Sequence, residues 1–573
     1  DLLLSAIGAY TYTNGEERTY RSTMKLSGDR VLGPSELKHK MGKTIYKTFQ
    51  ATAEYNKTIG EHTFGILAGY SWEQEDYRYV QGSRDKFPGN DLPYLNAGSP
   101  DNQKSEGTGN AWAIQSGFGR LRYNFNERYL FESTVRYDGS SRFPQSKKFG
   151  FFPSVAAGWR LSEENFFKEN ESLGFISNLK LKVSWGRLGN QNIGNYPYQS
   201  VYELGQNYPF GDTYTQGAAV TTAVDPTIKW EETETIDGGL EAVFWNGLLS
   251  VNASYFNRRT YDILYKPSGS VSTILGQKIS EMNTGELKNF GWEFEVGHRN
   301  KIGDVSYNVN ANLSIIKNKL TTLGVGNVEQ LNGMVGNGSD LFIGYPIQMY
   351  YGYVSDGVFL DENDIKSWYD QSKVTPNPQP GDIRYKDISG PDGVPDGKID
   401  PNYDRVYLGS RIPKFTFGLN LGVEYKGLDL SVLLQGVAGV TGMLDGFAGW
   451  AFRGDGNIQK WQAEGRFDPA NPTRYPAYPR LEDLSNSTTP NIVTSDFWTQ
   501  DASYIRLKNI QLGYTFPKKM LQAAKISNLR VYVQAENPLC WNKYKPGWDP
   551  EINTSGNYYP ILATYTFGVN FKF

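Results

Sequence analysis

"FTFGLNLGVEYKGLDLSVLLQG", residues 415–436, reads as two strands joined by a tight turn. Phe415, Phe417, Leu419, Leu421, Val423 and Tyr425 fall on one face, and Thr416, Gly418, Asn420 and Glu424 fall on the other. After Lys426-Gly427 the alternation resumes, with Leu428, Leu430, Val432 and Leu434 opposing Asp429, Ser431 and Gln435. Successive side chains of a strand point to opposite faces, so an apolar period of two, not 3.6, decides the local structure.

The same period recurs along the whole chain. In "NLKLKVSWG" (178–186) Leu179, Leu181, Val183 and Trp185 oppose Lys180, Lys182 and Ser184; in "FPSVAAGWRL" (152–161) Val155, Ala157, Trp159 and Leu161 oppose Ser154, Ala156, Gly158 and Arg160. Roughly sixteen such segments begin near residues 3, 43, 62, 111, 128, 149, 178, 235, 248, 286, 304, 411, 428, 504, 528 and 562. Each is about ten residues or more, the length a tilted strand needs to cross a bilayer.

The connections fall into two classes that alternate. "YNKTIGEH", "NFNERY", "FWNGLL", "HRNKIGD" and "YKGL" are short, whereas residues 14–42, 74–110, 189–231, 318–410 and 437–503 are long and rich in Gly, Asn, Asp, Tyr and Pro. A soluble sandwich has no reason to sort its connections this way; outer-membrane barrels combine short periplasmic turns with long extracellular loops. The polar face is also too polar for a dry core. Glu132, Arg136, Lys180, Lys182, Glu293 and Glu295 are costly to bury unpaired, and a watery lumen accommodates them. The apolar face then meets lipid, with Trp159, Trp185 and the terminal Phe573 expected in the interfacial girdles. The expected fold is an all-β transmembrane antiparallel barrel, and the expected location is the outer membrane.

Composition agrees. Lys+Arg 58 against Asp+Glu 61 provides no field for nucleic acid, and 39 Tyr, 13 Trp and 30 Phe sit on an otherwise polar chain of 573 residues. Strands favour aromatics. No apolar run approaches the roughly 18 residues of a membrane helix. Cys540 is the lone cysteine, which excludes an internal disulfide, and His39, His62 and His298 are far apart in sequence.

Few residues invite chemistry. "DISGPDGVPDGKIDPNYD" (387–404) has the character of a calcium loop, which places acids at alternate positions around a turn glycine. Asp396, Gly397, Ile399 and Asp400 fit that spacing. Pro391–Pro395 separate Asp387 and Ser389 from them, and Asp404 falls one place late, so a plain Asp/Gly/Pro surface turn is the competing reading. Glu231 and Glu232 are adjacent on a strand and face opposite ways, which rules them out as a hydrolase pair; no enzymatic activity is expected. For binding, residues 445–481 bring Trp450, Trp461, Tyr475 and Tyr478 together with Arg453 and Asp455, groups that suit a sugar or a peptide, or that simply pack loops together.

At "RYLFESTVRYDGSSRFPQSKKFGFFPSVAAGWRLSEENFF" (128–167) the sequence resembles the SusC/RagA-type TonB-dependent transporters of Bacteroidetes outer membranes. Further matches follow in order, among them 283–314, 413–436, "SDFWTQDASYIRLKNIQLGYTFPKKML" (495–521) and "LRVYVQAENPL" (529–539). The resemblance implies a barrel of the 22-stranded class with a plugged lumen. It also implies active import of an oligosaccharide or oligopeptide, a SusD-like surface lipoprotein as lid, energisation by TonB with ExbB and ExbD, and paired transporter–lid units. Within "RYDGSSRF" Asp138 and Arg142 are expected either to pair beside the ligand chamber or to shape a turn. Nothing ahead of Asp1 reads as a plug, a TonB box or first strands, so a C-terminal portion of a longer protein is expected. Two alternatives stand beside this: a self-contained sixteen-stranded diffusion porin, in which residues 3–13 pair with 562–573, and a structural or export-associated barrel.

Overall fold

The computed structural model describes residues 1–267, 273–324, 328–337, 340–483, 490–522, 525–544, 548–552 and 559–573. Sixteen strands, each antiparallel to its neighbours, form one continuous sheet in strict sequence order. They are β1 (Leu2–Arg21), β2 (Glu36–Ile59), β3 (His62–Asp85), β4 (Lys104–Phe125), β5 (Tyr129–Ser140), β6 (Phe149–Arg160), β7 (Ile176–Asn190) and β8 (Glu231–Phe244). The second half comprises β9 (Leu249–Tyr261), β10 (Glu286–Ile302), β11 (Val305–Thr322), β12 (Phe415–Tyr425), β13 (Leu428–Ala438), β14 (Tyr504–Thr515), β15 (Asn528–Asn542) and β16 (Thr564–Lys572). No helix among the described residues is long and apolar enough to cross a membrane.

Register divides the two faces as the alternation does. Leu240 pairs with Leu181 and Gly238 with Val183 on one face, while Glu241 pairs with Lys180 and Gly239 with Lys182 on the other. Val183 is 53% exposed with no protein against it; lipid removes that area from water, at about 25 cal/mol per Å². The turns at the short end are tight. Lys426 (φ 47°) and Gly427 (φ 89°) both adopt left-handed backbone, the hairpin geometry that matches strand twist. A Cβ on Gly427 would lie 2.5 Å from the Thr515 carbonyl oxygen, so close approach and positive φ both require glycine there.

Two expectations are corrected. Segments 14–42 and 74–110 are mostly strand, their true connections being 22–35 and 86–103. β2 and β3 reach 24 residues each, well beyond the 9–11 that span a bilayer. Their upper halves extend past that span, so the apolar alternation that betrays a lipid-facing strand stops while the hydrogen-bonded ladder continues. The sixteen strands also do not close on themselves: β1 pairs only with β2 and β16 only with β15. A porin sealed by pairing of the first and last strands is therefore not the architecture.

The largest buried cluster lies outside the wall. The described residues of the connections after β11 and β13 fold together at the long-connection end around Tyr353, Ile383, Tyr385, Phe467, Tyr478 and Trp498.

Candidate functional site

The lumenal face carries charges in neutralising sets. Lys180 and Lys182 place their ammonium groups 3.2 and 2.9 Å from the two oxygens of Glu241. Arg122 meets Glu54 at 2.6 Å, and Arg530 donates to Asp429 from Nε at 2.9 Å. These pairs are water-accessible and contribute little stability each; they make the wall polar without giving it a strong field.

The girdle candidates occupy strand ends. Trp159 donates its indole N–H to Glu164 at 2.9 Å, and the Tyr129 hydroxyl donates to the same oxygen at 2.6 Å. At the opposite end Trp185 donates to Glu234 at 2.5 Å. Phe573 follows β16 and packs edge-on to Phe571, centroids 4.6 Å apart. An indole with an apolar body and a bonded polar tip suits the boundary between hydrocarbon and water.

Above the wall, the loop lobe has its own ionic skeleton. Asp361 caps the short helix Glu362–Ser367 by accepting from Asp364 N–H at 2.8 Å. Asp364 in turn takes Arg384 at 3.0 Å and Arg474 on both its oxygens. Arg384 lies 3.7 Å above the centroid of Trp368. Burial alone raises the Asp364 pKa, but the Arg474 hydrogen bond, the Leu360 N–H and the two guanidinium charges outweigh it and hold the carboxyl below its ordinary value. Ser355 N–H donates to Asp496 at 2.7 Å, tying the two long segments into one body.

The six binding candidates separate on this frame. Tyr478 is fully buried, accepts from Ala451 N–H at 2.8 Å and packs edge-on against Trp461 and Trp498. Trp461 donates to Gln459 at 2.9 Å. Its ring is part of the lobe's buried cluster. Trp450 leans on the same core with the Arg453 guanidinium 4.9 Å from its ring centroid. Tyr475 alone projects freely, 72% exposed. Asp455 closes the turn Arg453–Asp455, and its side chain lies outside the described structure.

The calcium candidates are engaged by the chain itself. Asp404 accepts the N–H groups of Ile388, Ser389 and Asp400 at 2.7, 3.1 and 2.6 Å, and burial pushes its pKa up. Asp387 accepts from Gly397 at 2.6 Å, Asp396 from Lys398 at 3.0 Å, and Asp400 from Asn402 at 2.8 Å while also holding the Lys373 ammonium. One oxygen of Asp387 is buried without a partner, yet among the described residues no three acidic, His or Cys groups converge on a point. The carboxylates accept from the backbone of their own turn. Asp138 and Arg142 do not pair either: Asp138 takes Arg136 at 3.1 Å, and Arg142 donates to the carbonyls of Gln191 and Ile193 at 3.1 and 3.0 Å.

Two arrangements had no clear signal in the sequence. One is the buried Arg506 with Asp549 and Glu551, at 2.7 and 2.9 Å; the other is the aromatic strip on the inner face of β2–β4, whose Tyr77 and Tyr79 lie in the stretch 74–110 that reads as loop.

A sheet with one lipid-facing and one polar, ion-paired face, short turns at one end and a folded lobe at the other, is what a family comparison finds. Residues 2–537 match the model described as TonB dependent receptor-like, beta-barrel. The chain belongs to this family. As a TonB-dependent receptor barrel it is an outer-membrane protein, with its short turns on the periplasmic side and its lobe outside. It is 28% identical to the TonB-dependent receptor SusC of Bacteroides thetaiotaomicron, over 100% of this chain and 54% of that protein. It is 27% identical to the TonB-dependent receptor P3 of Formosa agariphila, over 98% and 56% respectively. The chain thus spans about half the length of these curated relatives. Among solved structures, the RagAB peptide importer in its open-open state superposes with a TM-score of 0.80 at 25% identity, covering 100% of this chain and 59% of that one.

Proposed function

We propose that this chain supplies most of the wall and the extracellular capture surface of an active importer of large nutrients, oligosaccharides or oligopeptides. The observation that carries the reading is the open sixteen-stranded wall, whose polar lumenal face rises without a break into the tall strands β2–β4 beneath a folded lobe. A SusD-like lipoprotein closes over the lobe as a lid, TonB with ExbB and ExbD provides the energy, and transporter–lid units pair; the kinship to SusC and the likeness to RagAB support these assignments. Trp159, Trp185 and Phe573 anchor the wall at the two interfaces. The test is growth of a gene-deletion strain on a panel of polysaccharides and protein hydrolysates. Selective loss of growth on one nutrient class, restored by the intact gene, supports import. Growth indifferent to the deletion on every nutrient refutes it and favours a structural or export role.

A further inference from the structure

The inner face of β2–β4 carries three cross-strand rows in perfect register: Tyr46–Glu75–Trp112, then Thr44–Tyr77–Asn110, then Gly42–Tyr79–Thr108. All three lie on the lumenal side, since the same unbroken registers lead down to Gly65 and Arg122. The outermost and innermost rows are about 14 Å apart. A Cβ on Gly42 would touch the Tyr77 ring and hydroxyl at 3.5 Å, so the ring occupies the space that a side chain at 42 would take. Tyr79 follows, centroid 6.0 Å from that of Tyr77, with Lys40 4.3 Å away over its ring.

Below the strip lies a cavity of about 680 Å³. Glu75, Asn110, Trp112, Arg142, Asn195 and Glu281 line it. The Trp112 indole is fixed by Glu75 at 3.2 Å and capped by the Arg142 guanidinium at 5.3 Å. Arg142 is held by its two carbonyls and keeps a buried Nε without a partner. Another concavity, of about 500 Å³, sits lower on the wall, but its lysines are already neutralised by Glu241.

We propose that Tyr77, Tyr79 and this cavity form a binding track for a neutral oligosaccharide. The proposal rests on the import reading and narrows its substrate class at a site of its own. A pyranose has an apolar C–H face that lies on a flat aromatic ring and a rim of hydroxyls that both donate and accept. Carboxylates and primary amides accept from neighbouring hydroxyls, and the side-chain N–H groups of Asn110 and Asn195 donate to others. Glu75 and Glu281 disfavour an acidic chain. A peptide is less suited: β2, β3 and β4 are interior strands with both edges paired, so no strand can be added, and Ile193 and Leu264 are the apolar side chains in the cavity lining.

The test uses the full transporter in detergent, titrated calorimetrically with maltohexaose, xylohexaose, cellohexaose, an oligogalacturonate and a tryptic casein digest. The expected result is saturable binding of at least one neutral hexasaccharide, weakened about tenfold or more by Tyr77→Ala and by Glu281→Gln and held within about threefold by Tyr77→Phe. Heat-modifiable migration reports that each variant is folded. Binding of only the acidic oligomer or peptides, no binding across the panel, or sugar binding indifferent to Tyr77→Ala overturns the proposal. A strain carrying Tyr77→Ala that grows as well as wild type refutes the track and leaves import standing; a wild-type gene that restores no growth strikes the import reading itself.

Discussion

Arg506 Nη2 lies 2.7 Å from Oδ1 and 2.8 Å from Oδ2 of Asp549, and the arginine is 2% exposed. Glu551 adds a third oxygen at 2.9 Å and itself accepts from the Tyr504 hydroxyl at 2.6 Å. The cluster pins Asp549 and Glu551, in the last extracellular connection, to the rim of β14. Removing one partner leaves the other's charge without compensation.

Arg506→Met is therefore expected to destabilise the rim by about 2 to 4 kcal/mol, toward the lower end for such pairs because Asp549 and Glu551 still reach water. Limited proteolysis should show new cleavage within 543–563, and a double variant with Asp549→Leu should recover much of the protection. Unchanged cleavage in Arg506→Met would show that the loop is held by other means.

How this cluster escaped the sequence shows where alternation stops being legible. Counting by twos from the lumenal Gln511 and Asn509 puts residue 506 on the lipid face. A bulge at Lys508 shifts the register between Leu507 and Asn509, so Arg506 pairs with Gln435 and turns inward. One extra residue reverses every side chain beyond it, and nothing in "YIRLKNIQ" marks the place. The strand count was readable because lipid imposes an apolar face on each crossing. The tops of β1–β4 have no such face, and Tyr77 and Tyr79 were lost with them. The lobe was legible only as composition: Trp461 and Tyr478 have the chemistry of a binding site, and burial, which pattern does not show, makes them its core.

Substitutions on the two faces of β7 should differ sharply. Val183→Arg puts a charge against hydrocarbon and is expected to cost about 2 to 4 kcal/mol, while Ser184→Arg, one residue on and facing the lumen, should cost little. Urea titration of folding into liposomes, read by heat-modifiable migration, checks the pair. Equal tolerance at both positions would contradict the assignment of faces.

The lobe should respond to acid through Asp364. Its folded pKa is below the ordinary value of 3.8, so its contribution is present above the unfolded value and is lost as pH falls through the folded one. Asp382 has the opposite sign: burial raises its pKa despite Arg480, and its contribution disappears as pH rises through its folded value. Asp364→Asn should loosen the lobe at neutral pH and flatten its acid sensitivity. Pulse proteolysis of the lobe across a pH series measures both, and a variant with the wild-type acid profile would exclude Asp364 as the source.

Gly427→Ala should weaken the β12–β13 turn, because the new Cβ meets the Thr515 carbonyl and the backbone is left-handed. The expected loss is about 1 to 3 kcal/mol. It should appear as a lower urea midpoint with unchanged ligand binding.

The central claim is that this wall belongs to an energised importer and not to an open pore. The most direct measurement is uptake of a labelled nutrient, one that the deletion strain fails to use, by cells carrying the full gene, with and without a protonophore, alongside planar-bilayer recordings of the purified whole protein. Uptake abolished by the protonophore, with no steady conductance in the bilayer, is the predicted result. Uptake indifferent to the protonophore, together with a stable open channel, would contradict it and identify a diffusion pore.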